Sequence, residues 1–176
     1  MTAAPEAVLW LQTNRSDVME TLRREAEARG IAASRLVQAQ DLPLAEHLAR
    51  YHVADLFLDT YPCVAHTTAS DALWMGCPII TCAGSTFASR VAASVANAAG
   101  MPSLAVHDLA EYERNASLLT TDRTARERLR QHLKANVAAS PLFDSPRFTR
   151  HLETAYKAVH DRRLSGLAPT SFDIPE

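Results

Sequence analysis

Glycine is scarce in this chain, with five in 176 residues and none arranged as GxGxxG or GxxxxGK[ST]. The glycine-rich loops that cradle phosphates in many nucleotide-binding folds are therefore excluded. Three cysteines (Cys63, Cys77, Cys82) make no CxxC pair and no even disulfide framework. Free thiols in a reducing compartment, the cytoplasm, are the expectation. A charge excess is lacking too: 18 Lys+Arg against 20 Asp+Glu leave a net charge of −2. That balance argues against a nucleic-acid partner, which calls for a basic surface. No run of about 18 apolar residues is present to span a membrane, and no basic segment with a long apolar stretch follows Met1 as in a signal peptide. The seven histidines show no HExxH or paired Cys/His spacing, so no metal site is expected. There is no GxSxG elbow to mark a serine nucleophile.

What is present is a chain long enough for one domain, able to bury roughly 70% of its unfolded surface. Short apolar runs alternate with longer amphipathic ones. Strands are expected at 7–11, 35–39, 55–59, 78–82 and 103–106, and helices at about 17–29, 43–52, 67–74 and 85–99. Gly30, Gly76 and Gly100 stand where three of these helices stop, the position that favours positive φ. Beyond residue 107 the pattern is only helical, at about 108–119, 122–138 and 146–162. The last helix carries Phe148, Leu152, Ala155, Tyr156 and Val159 on one face. Strand–helix alternation predicts an α/β fold, a Rossmann-like doubly wound parallel sheet with extra C-terminal helices. Residues 1–163 form that domain and 164–176, with Pro169 and Pro175, an extended tail. Trp10 and Trp74 read as core residues. Arg123, Arg126, Arg128, Arg130 and Lys134 read as a solvated helix face.

In such a sheet, ligands bind beyond the carboxyl ends of the strands, where loops lead into helix N-termini. Three segments fit. In the first, a strand ends at Asp59, a loop follows, and His66-Thr67-Thr68 opens a helix with Asp71 one turn on. Unpaired N–H groups and the helix dipole can hold a phosphate or diphosphate there, with two hydroxyls and an imidazole adding donors. Asp71 can accept from both hydroxyls of a ribose. The same Thr68-Ala69-Ser70-Asp71 spacing also fits a capping box that serves only the backbone. The second segment holds Leu42, His47 and Arg50. Its imidazole could stack on a base and its backbone could read a base edge, or these could be ordinary surface groups. In the third, Gly84 to Arg90, Ser85 is a candidate N-cap.

Taken together, these residues resemble a known family. The stretches His66-Thr67-Thr68, Asp71-Ala72-Leu73-Trp74-Met75-Gly76-Cys77-Pro78 and Ala88-Ser89-Arg90-Val91-Ala92-Ala93-Ser94 are similar to the O-GlcNAc transferase and Spindly-like glycosyltransferases. Val8-Leu9-Trp10-Leu11 and Ser140-Pro141-Leu142-Phe143 add to the likeness, which covers about residues 5–163. The resemblance implies the C-terminal, donor-binding half of a two-domain GT-B fold. It implies a UDP-sugar donor (usually UDP-GlcNAc), protein Ser/Thr acceptors, inversion at the anomeric carbon, and neither cofactor nor metal. Carried over by position, His66, Thr67 and Thr68 hold the diphosphate and Asp71 takes the ribose. His47 stacks on uracil, backbone at Leu42 pairs with its edge, and Arg50 lies nearby. One position departs: Leu44 stands where the family commonly has a donor-contacting lysine.

The family's N-terminal catalytic half, its helical repeats and a donor-phosphate lysine have no counterpart in these residues, and no catalytic residue is assigned. The chain is therefore expected to bind UDP-sugar weakly and to need that half for transfer. The alternatives are a non-enzymatic scaffold with a degenerate donor site, or half of a sugar-nucleotide epimerase.

Overall fold

A computed structural model describes residues 1–174, so Pro175 and Glu176, the end of the expected tail, lie outside the described residues. Five short strands alternate with helices through the first two thirds of the chain. They are β1 (Leu9–Gln12), α1 (Ser16–Glu27), β2 (Leu36–Ala39), α2 (Leu44–Ala49), β3 (Phe57–Leu58), α3 (Thr67–Trp74), β4 (Ile79–Cys82), α4 (Val91–Ala98) and β5 (Ala105–Val106). Three further helices follow: α5 (Leu109–Thr121), α6 (Arg123–Asn136) and α7 (Ser145–Leu164). All strand pairings are parallel, as the alternating pattern requires. They form two pieces, β1–β2 and β3–β4–β5.

β4 is central to the larger piece, and all four of its residues are buried. A parallel strand covered on both faces reads as a continuous apolar run, which Pro78-Ile79-Ile80-Thr81-Cys82 is apart from Thr81. The main core joins Leu73, Ile79, Leu104, Leu119 and Leu133 with the small residues Ala69, Ala72, Ala92 and Ala96. The alanines explain how α3 and α4 pack closely on each other and on β4. A smaller separate core gathers Met19, Ala26 and Leu36 under β1 and β2.

Helix ends follow local chemistry. Gly76 terminates α3 at φ +77°, a backbone region that costs other residues about 1–2 kcal/mol. Asp108, Asp122 and Asp144 accept from Glu111, Ala125 and Arg147 N–H at the starts of α5, α6 and α7. Each such cap contributes about 1 kcal/mol.

Three expectations need correction, and the last helix adds a finding of its own. Trp10 is 41% exposed, because β1 alternates and turns Leu9 and Leu11, not Trp10, toward the small core. Trp74 is 49% exposed at the end of α3, packed on one side by Phe143 at 4.7 Å between ring centroids. On α6, Arg126 and Arg130 are not solvated: their guanidiniums turn inward to main-chain carbonyls that no helix or strand satisfies. Finally, α7 has the expected apolar face, yet none of its residues is buried, and Phe148, Leu152, Tyr156 and Val159 are exposed. Among the described residues no helix is long and apolar enough to cross a membrane.

Candidate functional site

Three loops follow β2, β3 and β4 into α2, α3 and α4, and they carry all three segments singled out above. The loop after β3 is the most fully specified by hydrogen bonds. Asp59, buried at its start, accepts from the N–H of Thr60 at 2.9 Å and of Ala65 at 2.8 Å through Oδ1. Its Oδ2 accepts from the Thr81 hydroxyl at 2.6 Å. Within the loop, which holds the cis Tyr61-Pro62 bond, the Thr60 hydroxyl donates to the Cys63 carbonyl at 2.6 Å. Its far side is tied to the next loop by Val64 N–H donating to the Ala88 carbonyl at 3.0 Å.

This loop delivers His66 to the N-cap position of α3. No side chain caps the helix, so the capping box of Thr68 with Asp71 is not formed. The reason is register: Thr67 opens the helix, which places Thr68 one position inside it, where its hydroxyl cannot serve as the N-cap acceptor. His66, Thr67 and Thr68 are exposed. Among the described residues the N–H groups of Thr67 and Thr68, both hydroxyls and the Asp71 carboxylate have no hydrogen-bond partner in the protein. The first turn of α3 therefore presents donors outward, at the positive end of the helix dipole.

The second segment meets the first through a residue the sequence reading missed. Tyr51 is buried, holds the His47 ring edge-on at 5.5 Å between centroids, and packs on Phe57 at 6.4 Å. Burial, followed by the nearby charge of Asp71, pushes the Tyr51 hydroxyl up to about 12. Tyr51 thus backs the half-buried His47, with the charge of half-buried Asp71 nearby. Arg50 donates to the Gln40 carbonyl at 2.6 Å and lies over the Trp10 ring at 5.4 Å, which fixes the turn leading to Leu42. Leu42 is exposed, and Leu44 is 70% exposed at the start of α2.

The third segment supplies a wall. Its cap is Thr86, not Ser85: Thr86 and Ser89 form a reciprocal capping box around a short 3-10 turn, Phe87–Ser89. Ser89 is the partner because Gly84, without a side chain, lets its hydroxyl close in. Phe87, 80% exposed, meets the His66 ring edge-on at 5.8 Å. Tyr51 lies outside the three sequence segments, and Phe87 and Asp59, though inside them, had been given no role. For Asp59 a signal existed, since a carboxylate ending an apolar strand before a loop must be spent on something local.

The model of the family described as Glycosyl transferase family 41 matches residues 1–152. A probable UDP-N-acetylglucosamine–peptide N-acetylglucosaminyltransferase, SEC of Arabidopsis thaliana, is 33% identical over 173 residues, 98% of this chain and 18% of that protein. A UDP-N-acetylglucosamine–peptide N-acetylglucosaminyltransferase of Caenorhabditis elegans is 33% identical over 163 residues, 93% of this chain and 14% of that protein. Among solved structures, the K341M mutant of Thermobaculum terrenum O-GlcNAc transferase superposes with a TM-score of 0.83 at 34% identity, over 89% of this chain and 31% of that one. The chain thus spans less than a fifth of the length of these two curated relatives.

Proposed function

The chain belongs to glycosyl transferase family 41, and on that premise we propose that it is the donor-binding half of an inverting protein O-glycosyltransferase. The donor is a UDP-sugar, UDP-GlcNAc in the first instance, and the acceptors are serine and threonine hydroxyls of proteins. The names of the relatives given above carry the UDP-N-acetylglucosamine donor and a peptide acceptor. The observation that supports the reading most directly is the start of α3, where two N–H groups and two hydroxyls, with the Asp71 carboxylate one turn on, stand without hydrogen-bond partners among the described residues. In this reading His66, Thr67 and Thr68 bind the diphosphate and Asp71 takes the ribose hydroxyls. His47 lies against uracil, with the backbone at Leu42 pairing its edge and Arg50 bracing that turn.

No metal or cofactor enters the reading. A diphosphate leaving without a metal needs compensating donors and positive charge. The α3 turn supplies donors but little charge, so in this reading the chain alone binds donor without transferring sugar. Transfer requires the family's catalytic half. The free thiols of Cys63, Cys77 and Cys82 fit a reducing, intracellular setting.

The test is a titration of the 176-residue chain with UDP, followed by calorimetry and by amide chemical shifts. Binding in the millimolar range or tighter is expected, weakened by Asp71→Ala. No binding by the wild type, or equal binding by the variant, would overturn it. Leu44 in place of the family's lysine favours one second reading, a scaffold with a degenerate donor site. Sugar transfer on adding a matching catalytic half would exclude that one.

A further inference from the structure

We propose that Asp59 is a positioning residue for diphosphate binding, acting through the loop that sets the first turn of α3. The inference rests on the reading of that turn as the diphosphate site. The argument begins with connectivity. One carboxylate oxygen takes N–H groups from both ends of the loop, Thr60 at 2.9 Å and Ala65 at 2.8 Å, and so closes it into a ring. The other oxygen takes the Thr81 hydroxyl at 2.6 Å, which moors that ring to β4, the most buried strand of the sheet. Ala65 is the residue immediately before His66, the N-cap of α3. The position of the unpaired Thr67 and Thr68 N–H groups therefore follows from a bond made one residue upstream of the N-cap.

Besides the Asp59 bonds, the loop is held by the Thr60 hydroxyl on the Cys63 carbonyl within it and by Val64 N–H on the Ala88 carbonyl of the next loop. Tyr61, Pro62 and Cys63 are exposed, and Val64 alone among its central residues is buried. Without the carboxylate, the Ala65 N–H loses its partner in a half-buried place, and the loop is free to swing about its Val64–Ala88 link. Asp59 touches no ligand in this scheme. It is buried beneath the loop, and its effect on binding runs through backbone placement, where small displacements of donors weaken anion contacts. An asparagine keeps the two-amide clamp through its Oδ1, with its Nδ2 donating to the Thr81 oxygen.

The experiment compares UDP with uridine, by amide chemical-shift titration of the wild type, Asp59→Ala, Asp59→Asn and Thr81→Val. The quantity read is the factor by which UDP binds more tightly than uridine, since in this reading only the phosphates meet the Thr67 and Thr68 N–H groups that the loop sets, while the ribose meets Asp71 one turn further into α3. In Asp59→Ala that factor is expected to fall about tenfold, the equivalent of one lost charge-assisted hydrogen bond, while uridine binding is unchanged. Asp59→Asn is expected to restore it to within about threefold. Thr81→Val, nearly isosteric and leaving both amides clamped, is expected to lower it about threefold and serves if Asp59→Ala does not fold. A wild-type factor retained in Asp59→Ala or, where that variant does not fold, in Thr81→Val overturns the role of Asp59 alone. So does an equal loss for UDP and uridine. A wild type that binds UDP no more tightly than uridine overturns the site reading, and the inference falls with it.

Discussion

Both terminal nitrogens of Arg130 converge on the carbonyl oxygen of Ala54, at 3.0 and 2.9 Å. The same guanidinium donates to the His52 carbonyl at 2.9 Å, so one side chain of α6 collects the main chain where α2 gives way to β3. Cys77 adds a thiol contact to the Ala54 oxygen at 3.7 Å.

Replacing Arg130 by methionine keeps the apolar stem and removes the donors. Part-buried carbonyls then lose their partners, and the expected cost is about 2 kcal/mol of unfolding free energy. Urea denaturation checks it. A midpoint within error of wild type would mean water replaces the guanidinium at no cost.

Gly84→Ala is expected to destabilise by about 1–3 kcal/mol through steric crowding alone. A Cβ there would lie 2.5 Å from the Ser89 hydroxyl oxygen and 2.8 Å from its Cβ, and that hydroxyl is already held by Thr86. Thermal unfolding is the readout, and Ser89→Ala in the same chain should relieve part of the loss.

Leu44→Lys places an ammonium at the exposed start of α2. On the donor-site reading UDP affinity rises by about fivefold at low salt, and the gain shrinks as ionic strength rises. Stability should change by less than about 0.5 kcal/mol, as for most exposed substitutions. Titration at two salt concentrations checks both points.

Alkaline pH should weaken the fold. Burial pushes the Cys77 thiol from 9.0 up to about 11, and the Tyr51 and Tyr112 hydroxyls from 10.0 to about 12. Below the lower of each pair of values the group is protonated in both folded and unfolded chains, and its contribution to stability is fully present. As pH rises past 9.0 the unfolded chain ionises first, so stability falls until the folded thiol ionises near 11, with the tyrosines extending the loss. Urea midpoints at about pH 8 and about pH 10.5 measure this, and Cys77→Ala should flatten the slope between them.

Of the three thiols, Cys63 is exposed while Cys77 and Cys82 are buried. A thiol reagent should therefore label one cysteine in the native chain and all three in denaturant. Two fast-reacting thiols in the native chain would contradict the packing of β4.

The fold was largely legible because parallel strands and amphipathic helices are written in short-range patterns. Pro78-Ile79-Ile80-Thr81-Cys82 read as a strand and contains β4, and Gly76 and Gly100 marked helix ends through positive φ. The tryptophans were misread because hydrophobicity says nothing about which face of β1 has a covering layer. Arg130 was misread because the Ala54 carbonyl it satisfies lies 76 residues away in the chain, and Arg126 because it folds back onto the last carbonyls of α5, across a helix boundary that charge patterning does not mark. His66, Thr67, Thr68 and Asp71 were singled out by their spacing at a strand–loop–helix junction, and the structure places them at the start of α3 without hydrogen-bond partners for the two threonine hydroxyls and the carboxylate among the described residues. Tyr51 and Asp59 were not singled out, since their roles exist only through contacts with other elements. The absence of the Thr68–Asp71 capping box turned on a one-residue register at Thr67 that spacing alone leaves open.

The two separate cores bear on how the molecule breathes. Met19, Ala26 and Leu36 are few beside the fifteen buried residues of the main cluster, so β1, α1 and β2 should open as a unit before the rest. A molecule lying between the Leu42–Arg50 turn and α3 would straddle the seam between a weak unit and a strong one. Its arrival should then register as slowed amide exchange in β1 and β2, in residues it never touches.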